Sequence, residues 1–281
     1  YVNPHLGKTL MEIGLDKHYV KGESCYLYDQ SGKSYLDFIA AYGALPFGFN
    51  PPEIWEAINQ IQAISEPSFV QPSLLDAAGQ LGKRLVEIAP PGLTTVTFAN
   101  SGAEAVEAAI KLARARTGKR GILTTHRSFH GKTLGALSAT GNTSYQKAFG
   151  APVEGFYFIP YGDLDQLEAA LAAKSQELAA FIIEPIQGEG GIVQPPVGYL
   201  KEAKALCEKY NVLIIFDEIQ TGLGRTGKMF GCDWEGVTPD IMTLAKALGG
   251  GIVPIGAVLC TDDVYTEEFA TKHSSTFAGN T

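Results

Sequence analysis

The chain has 281 residues, 45% hydrophobic and 19% charged, a composition able to bury a large core and ordinary for a folded domain. Its net charge of −8 leaves no electrostatic footprint for nucleic acid, and no basic cluster or basic amphipathic helix suggests an anionic membrane. The four cysteines (Cys25, Cys207, Cys232, Cys260) lack metal-type spacing and read as reduced packing thiols.

In chain order, the start carries no basic and apolar leader. Residues 24–29 and 34–38 read as a β-hairpin around Gln30-Ser31-Gly32-Lys33, within an N-terminal segment spanning 1–50. Pro51-Pro52 opens a helix over 53–64, and a second helix covers 74–88. From there strands and helices alternate: strand 96–98, helix 103–116, strand 121–124, a loop rich in Gly, Ser and Thr, strand 156–159, helix 164–174, strand 179–184, helix 199–210, strand 212–216, strand 241–244 and strand 255–260. Continuous apolar runs such as Val212-Leu213-Ile214-Ile215-Phe216 point to strands covered on both faces. The expected architecture is α/β with a mostly parallel central sheet flanked by helices, over 51–281. The most membrane-like stretch, 241–260, carries Lys246 inside it and is rejected as a span. A cytoplasmic location is expected.

In such a sheet ligands gather at the carboxyl ends of the strands, and polar groups recur there. Ser101-Gly102-Ala103 opens a helix directly after a strand, which suits either a plain N-cap or a phosphate site. No Walker lysine follows, so a nucleoside-triphosphate P-loop is excluded. Phe129-His130-Gly131 offers an aromatic beside a glycine, as a core residue or as one that lies flat on a cofactor ring. His130 reads as an orienting residue, since the histidines show no ligand-like pairing. Glu184 and Glu189 sit in a loop whose turns do not require them. Asp217 closes the most apolar strand, 29 residues before Lys246. A lone lysine is ordinarily a solvated charge. Held in apolar surroundings, its amine can deprotonate and form a Schiff base, and a buried aspartate can face a pyridinium nitrogen.

The run Asp217-Glu218-Ile219-Gln220-Thr221-Gly222-Leu223-Gly224-Arg225-Thr226-Gly227, followed by Asp240-Ile241 and Ala245-Lys246-Ala247-Leu248-Gly249-Gly250, resembles the signature of class III aminotransferases. These are fold-type I pyridoxal-phosphate enzymes that include ornithine, acetylornithine, 4-aminobutyrate and putrescine aminotransferases. The resemblance runs from Leu27 to Thr281. It implies Lys246 as Schiff-base lysine and proton carrier, and Asp217 as partner of the pyridinium nitrogen. It further implies Ser101, Gly102 and Ala103 on the phosphate, Phe129 on the ring and Gln220 at the phenolic oxygen. Thr276 matches a threonine that reaches the phosphate of a neighbouring subunit, which implies a homodimer with shared active sites. Tyr42, Lys132 and Glu189 match substrate-contacting positions.

Two departures bear on substrate. Lys132 stands where many relatives place an arginine clamp, and it resembles the putrescine-type branch, which implies an amine or ω-amino donor and an oxo acid such as 2-oxoglutarate. Gly48-Phe49-Asn50-Pro51-Pro52 replaces a more usual glycine-histidine pattern. Relatives continue past the position of Thr281 into a C-terminal small domain that this chain is expected to lack. Two other readings are a class III aminomutase, which would need no net oxo-acid acceptor, and a catalytically incomplete module that binds cofactor or dimerises.

Overall fold

The computed structural model describes residues 2–280 apart from 68, 69, 71 and 72. The chain divides into two compact units, Tyr1–Ser65 with Gly250–Ile252, and Glu66–Gly249 with Val253–Thr281.

The first unit begins with helix α1 (Pro4–Glu12), where Pro4 fills the first turn and Asn3 caps it by accepting from Leu6 N at 3.1 Å. Strands β1 (Tyr19–Glu23), β2 (Tyr26–Asp29) and β3 (Ser34–Leu36) form an antiparallel meander. Asp29 closes the β2–β3 turn, its carboxylate accepting from Ser31 N at 2.9 Å, Lys33 N at 3.1 Å and Tyr35 Oη at 2.8 Å. The expected hairpin is therefore present, with β1 added outside it. The four-residue turn α2 (Ala40–Gly43) holds Ala40, Ala41 and Tyr42 in the left-handed region. Helix α3 (Pro52–Ala63) belongs to this unit, so the boundary falls at Ser65 rather than at residue 50.

The second unit is built on seven strands in the order β4-β10-β9-β8-β7-β5-β6. These are β4 (Thr95–Ala99), β5 (Gly121–Thr125), β6 (Phe156–Ile159), β7 (Leu178–Ile183), β8 (Leu213–Asp217), β9 (Ile241–Leu244) and β10 (Gly256–Cys260). The five from β6 to β9 run parallel, while β10 is antiparallel to both β9 and β4. Helices α4 (Asp76–Ile88), α5 (Gly102–Thr117), α8 (Leu164–Lys174), α9 (Tyr199–Lys209) and α10 (Glu267–Lys272) accompany them. Side chains along each strand alternate between two cores. Phe181, Ile183, Ile214 and Phe216 pack with Leu167, Leu171, Leu200 and Ala203 on one face. Ala180, Ile182 and Ile215 pack with Val106, Ala109 and Ile110 on the other. Burial on both faces is why these strands read as unbroken apolar runs.

The Gly/Ser/Thr-rich stretch after β5, read as loop, contains two short helices, α6 (Leu134–Ala139) and α7 (Thr143–Gln146). The cap of α6 comes from elsewhere in the chain. Glu107 of α5 accepts from Thr133 Oγ1 at 2.7 Å, Gly135 N at 2.8 Å and Ala136 N at 3.2 Å. Backbone groups that composition alone leaves unsatisfied are thus satisfied by a tertiary carboxylate. Three of the cysteines are buried, but Cys25 is exposed between β1 and β2 and is not a packing thiol. No helix among the described residues is long and apolar enough to cross a membrane.

Candidate active site

All the groups described next lie in the second unit, at or beyond the carboxyl ends of its parallel strands and at the start of α5. Ser101 is the N-cap of α5, its Oγ accepting from Glu104 N at 3.2 Å. That acceptance leaves the hydroxyl proton available as a donor beside the backbone N–H groups of Gly102 and Ala103, at the positive end of a 16-residue helix. Gly102 is required here: a Cβ would sit 3.0 Å from Ile219 Cδ1 and 3.4 Å from Ala245 Cβ. Gly131 has φ +132°, and a Cβ there would lie 2.7 Å from Ala103 Cβ. The helix start and the Phe129–Gly131 loop are therefore in backbone contact.

Asp217, 3% exposed, ends β8. Its Oδ1 accepts from Thr243 Oγ1 of β9 at 2.9 Å and from Ile219 N at 3.1 Å. Its Oδ2 lies 2.6 Å from Nδ1 of the fully enclosed His130. Burial pushes the His130 imidazolium down, yet the Asp217 hydrogen bond and the charges of Asp217 and Glu184 together outweigh it, leaving its pKa above the ordinary value. A cationic His130 holds Asp217 ionised in a place where a bare carboxylate would not stay so.

Lys246 follows β9 and begins a 3-10 turn (Lys246–Gly249) with φ +45°, a conformation uncommon for a residue with a side chain. Its Nζ donates to Gln220 Oε1. Burial lowers its pKa below the usual lysine value, against the opposing pull of Asp217, Glu184 and Glu189. An amine so desolvated reaches the nucleophilic, neutral form more readily than a surface lysine.

Phe129 is half-buried. Its backbone N donates to Glu184 Oε1 at 2.9 Å, and the other oxygen of Glu184 accepts from Gly188 N at 3.0 Å. Burial pushes the Glu184 carboxyl up, with His130 and these two N–H groups opposing it. Glu184 ties two loops together, a role its sequence position did not disclose. Glu218 is structural: it accepts from Gly231 N at 2.9 Å, Cys232 N at 2.8 Å and Thr221 Oγ1, pinning the glycine-rich segment that follows Gln220.

The structure thus gathers Asp217 and His130 around one buried contact, and couples Lys246 to Gln220 and electrostatically to Asp217 and Glu189. Lys132 and Glu189 both approach Tyr145, a residue that sequence reasoning passed over because α7 read as loop. Thr276 is exposed in the segment after α10, where the adjacent Ser275 accepts from Asn100 Nδ2 at 2.8 Å. Tyr42 belongs to the first unit, where it is 79% exposed with φ +58°.

A family model described as Aminotransferase class-III matches residues 13–281. The chain is 40% identical over 285 aligned residues to Aminotransferase PigE of Serratia sp. (strain ATCC 39006), covering 99% of this chain and 33% of that protein. It therefore spans about a third of that curated relative's length. An ornithine aminotransferase structure from Toxoplasma gondii ME49 shares 35% identity and superposes with a TM-score of 0.86, covering 94% of this chain and 64% of that one. An omega transaminase from Pseudomonas jessenii, solved in complex with PMP, shares 30% identity with a TM-score of 0.90, covering 100% of this chain and 68% of that one.

Proposed function

The chain belongs to the class-III aminotransferase family, and we propose that it serves a transaminase that moves an amino group from an amine or ω-amino donor to an oxo acid such as 2-oxoglutarate. The family's cofactor is pyridoxal 5′-phosphate, and the Pseudomonas relative binds its aminated form, PMP. When bound, this group supplies an aldehyde for amines and a ring that withdraws electrons once its nitrogen is protonated.

The residues fit such a group. A helix N-terminus with a hydroxyl and two backbone donors suits a phosphate, a carboxylate kept ionised by His130 suits a pyridinium N–H, and a desolvated amine suits an aldehyde. The observation that carries the reading is the Asp217–Lys246 relation: one ionised carboxylate and one depressed amine at the ends of adjacent strands β8 and β9.

On this reading Ser101, Gly102 and Ala103 hold the phosphate, Phe129 lies against the ring and Gln220 reaches the phenolic oxygen. Asp217 receives the ring N–H, with Thr243, Ile219 N and His130 fixing its orientation. Lys246 holds the cofactor through Nζ. Once displaced by the substrate amine, it carries a proton at that atom from the donor carbon. Release of Lys246 from its strained backbone turn is limited to the side chain, so the amine stays at hand throughout. Lys132 and Glu189 meet the substrate. Tyr42 as a substrate contact, Thr276 as a phosphate contact of a neighbouring subunit in a homodimer, and the cytoplasmic location follow the family resemblance alone.

The test is reductive trapping. Borohydride treatment should fix the cofactor's mass on the peptide containing Lys246, and Lys246→Ala should lose both that label and all transamination while keeping its circular dichroism. A Lys246→Ala enzyme that still transaminates would sink the assignment. A screen of which amines convert the bound cofactor then identifies the donor.

A further inference from the structure

Tyr145 in α7 is the centre of a charge arrangement that no motif announces. Its hydroxyl donates to Glu189 Oε1 at 2.8 Å. Its ring stands edge-on to Phe129, with centroids 6.2 Å apart. The Lys132 ammonium lies 4.4 Å from the Tyr145 ring centroid and 6.0 Å from that of Phe129. One aromatic side chain therefore bears a cation on its face and an anion on its hydroxyl.

The loop carrying Glu189 is stiff. Gln187 and Val193 exchange backbone hydrogen bonds at 3.0 and 2.9 Å. The Gln187 side chain donates to Thr125 Oγ1 at 3.1 Å and to His126 O at 2.9 Å, while the Arg127 guanidinium donates to Gly190 O. Glu189 is nonetheless exposed, and its charge is felt at the Lys246 amine, so it borders that group. A neutral phenol on one oxygen leaves a carboxylate its full charge and further lone pairs for an incoming cation. A π face likewise holds an ammonium without neutralising it.

We infer that Tyr145 is a specificity-determining residue that keeps Glu189 and Lys132 apart as two receptors of opposite charge. Glu189 takes the distal ammonium of a diamine donor, and Lys132 takes the distal carboxylate of a dicarboxylic oxo-acid acceptor. A ping-pong transaminase has to seat both partners in one place, and two charges cancelled in a salt bridge would serve neither. This inference rests on the transaminase reading above.

The experiment compares Tyr145→Phe and Tyr145→Leu holoenzymes in separate half-reactions. Tyr145→Phe keeps the ring and loses the hydroxyl. It should raise KM for 1,4-diaminobutane about tenfold with kcat within about twofold. The same variant should leave butylamine and 2-oxoglutarate unchanged. Tyr145→Leu should also raise KM for 2-oxoglutarate while sparing pyruvate. Calorimetric titration of diaminobutane and butylamine into Lys246→Ala enzyme, with and without Tyr145→Phe, should show the same selective loss without turnover. Equal shifts for diamine and monoamine, or no shift, overturn the inference. Failure of the parent enzyme to transaminate any amine would instead overturn the function reading, with the calorimetry still deciding the role of Tyr145.

Discussion

Replacing His130 by Phe removes the partner of Asp217 Oδ2 while filling the enclosed ring volume. Asp217 is 3% exposed and its remaining donors, Thr243 Oγ1 and Ile219 N, both serve Oδ1. Breaking a buried pair by removing one member costs about 3–5 kcal/mol, and the surviving donors place this case near the lower end. For a chain of this size that is a fall in Tm of about 6–12 °C. The loss depends on pH. Burial lowers the His130 pKa, but the Asp217 hydrogen bond and the charges of Asp217 and Glu184 raise it further, so the folded value stands above 6.5. A raised folded pKa means the stabilisation is complete below the unfolded value. It is lost as pH rises through the folded value, leaving only the neutral hydrogen bond. The gap between parent and variant should therefore narrow on the alkaline side. Urea unfolding of parent, His130→Phe, Asp217→Asn and the double variant gives the coupling directly, expected at about 2–3 kcal/mol. Additivity within about 0.5 kcal/mol, or a gap that widens with pH, would show that the two side chains are neighbours without being partners.

Gly131→Ala should lose about 2–3 kcal/mol in the same unfolding assay, since φ +132° is unsuited to a side chain and the new Cβ meets Ala103 at 2.7 Å. Ser101→Ala should cost about 1 kcal/mol as a lost cap. It should also weaken cofactor affinity in equilibrium dialysis, whereas Ser101→Thr should retain both.

The α/β class, most strand positions and the two halves of the Asp217–Lys246 relation were legible because they are written locally. Apolar runs such as Val212–Phe216 mark strands buried on both faces, and Ser101 after a strand marks a helix start whatever lies around it. Three elements were not legible. Helix α6 is capped by Glu107, 28 residues before Gly135, so its loop-like composition concealed it. Strand β1 has no alternating pattern and exists by pairing with β2. Helix α10 is short and draws its stability from Phe269 in the core.

The linear order of residues determined which chemical groups this protein owns: a lysine and an aspartate at strand ends, a capped helix start and carboxylates in loops. Tertiary structure alone decided their partners. His130 and Asp217 are 87 residues apart, and they meet because the sheet runs β5-β7-β8-β9, bringing the end of β8 near the loop after β5. Lys132 and Glu189 converge on Tyr145 by the same route. Hydrophobic periodicity is a short-range signal and sets each strand, while strand order is settled by the packing of the whole. Burial, which exists only after that packing, is what turns an ordinary lysine and histidine into a depressed amine and a lasting cation.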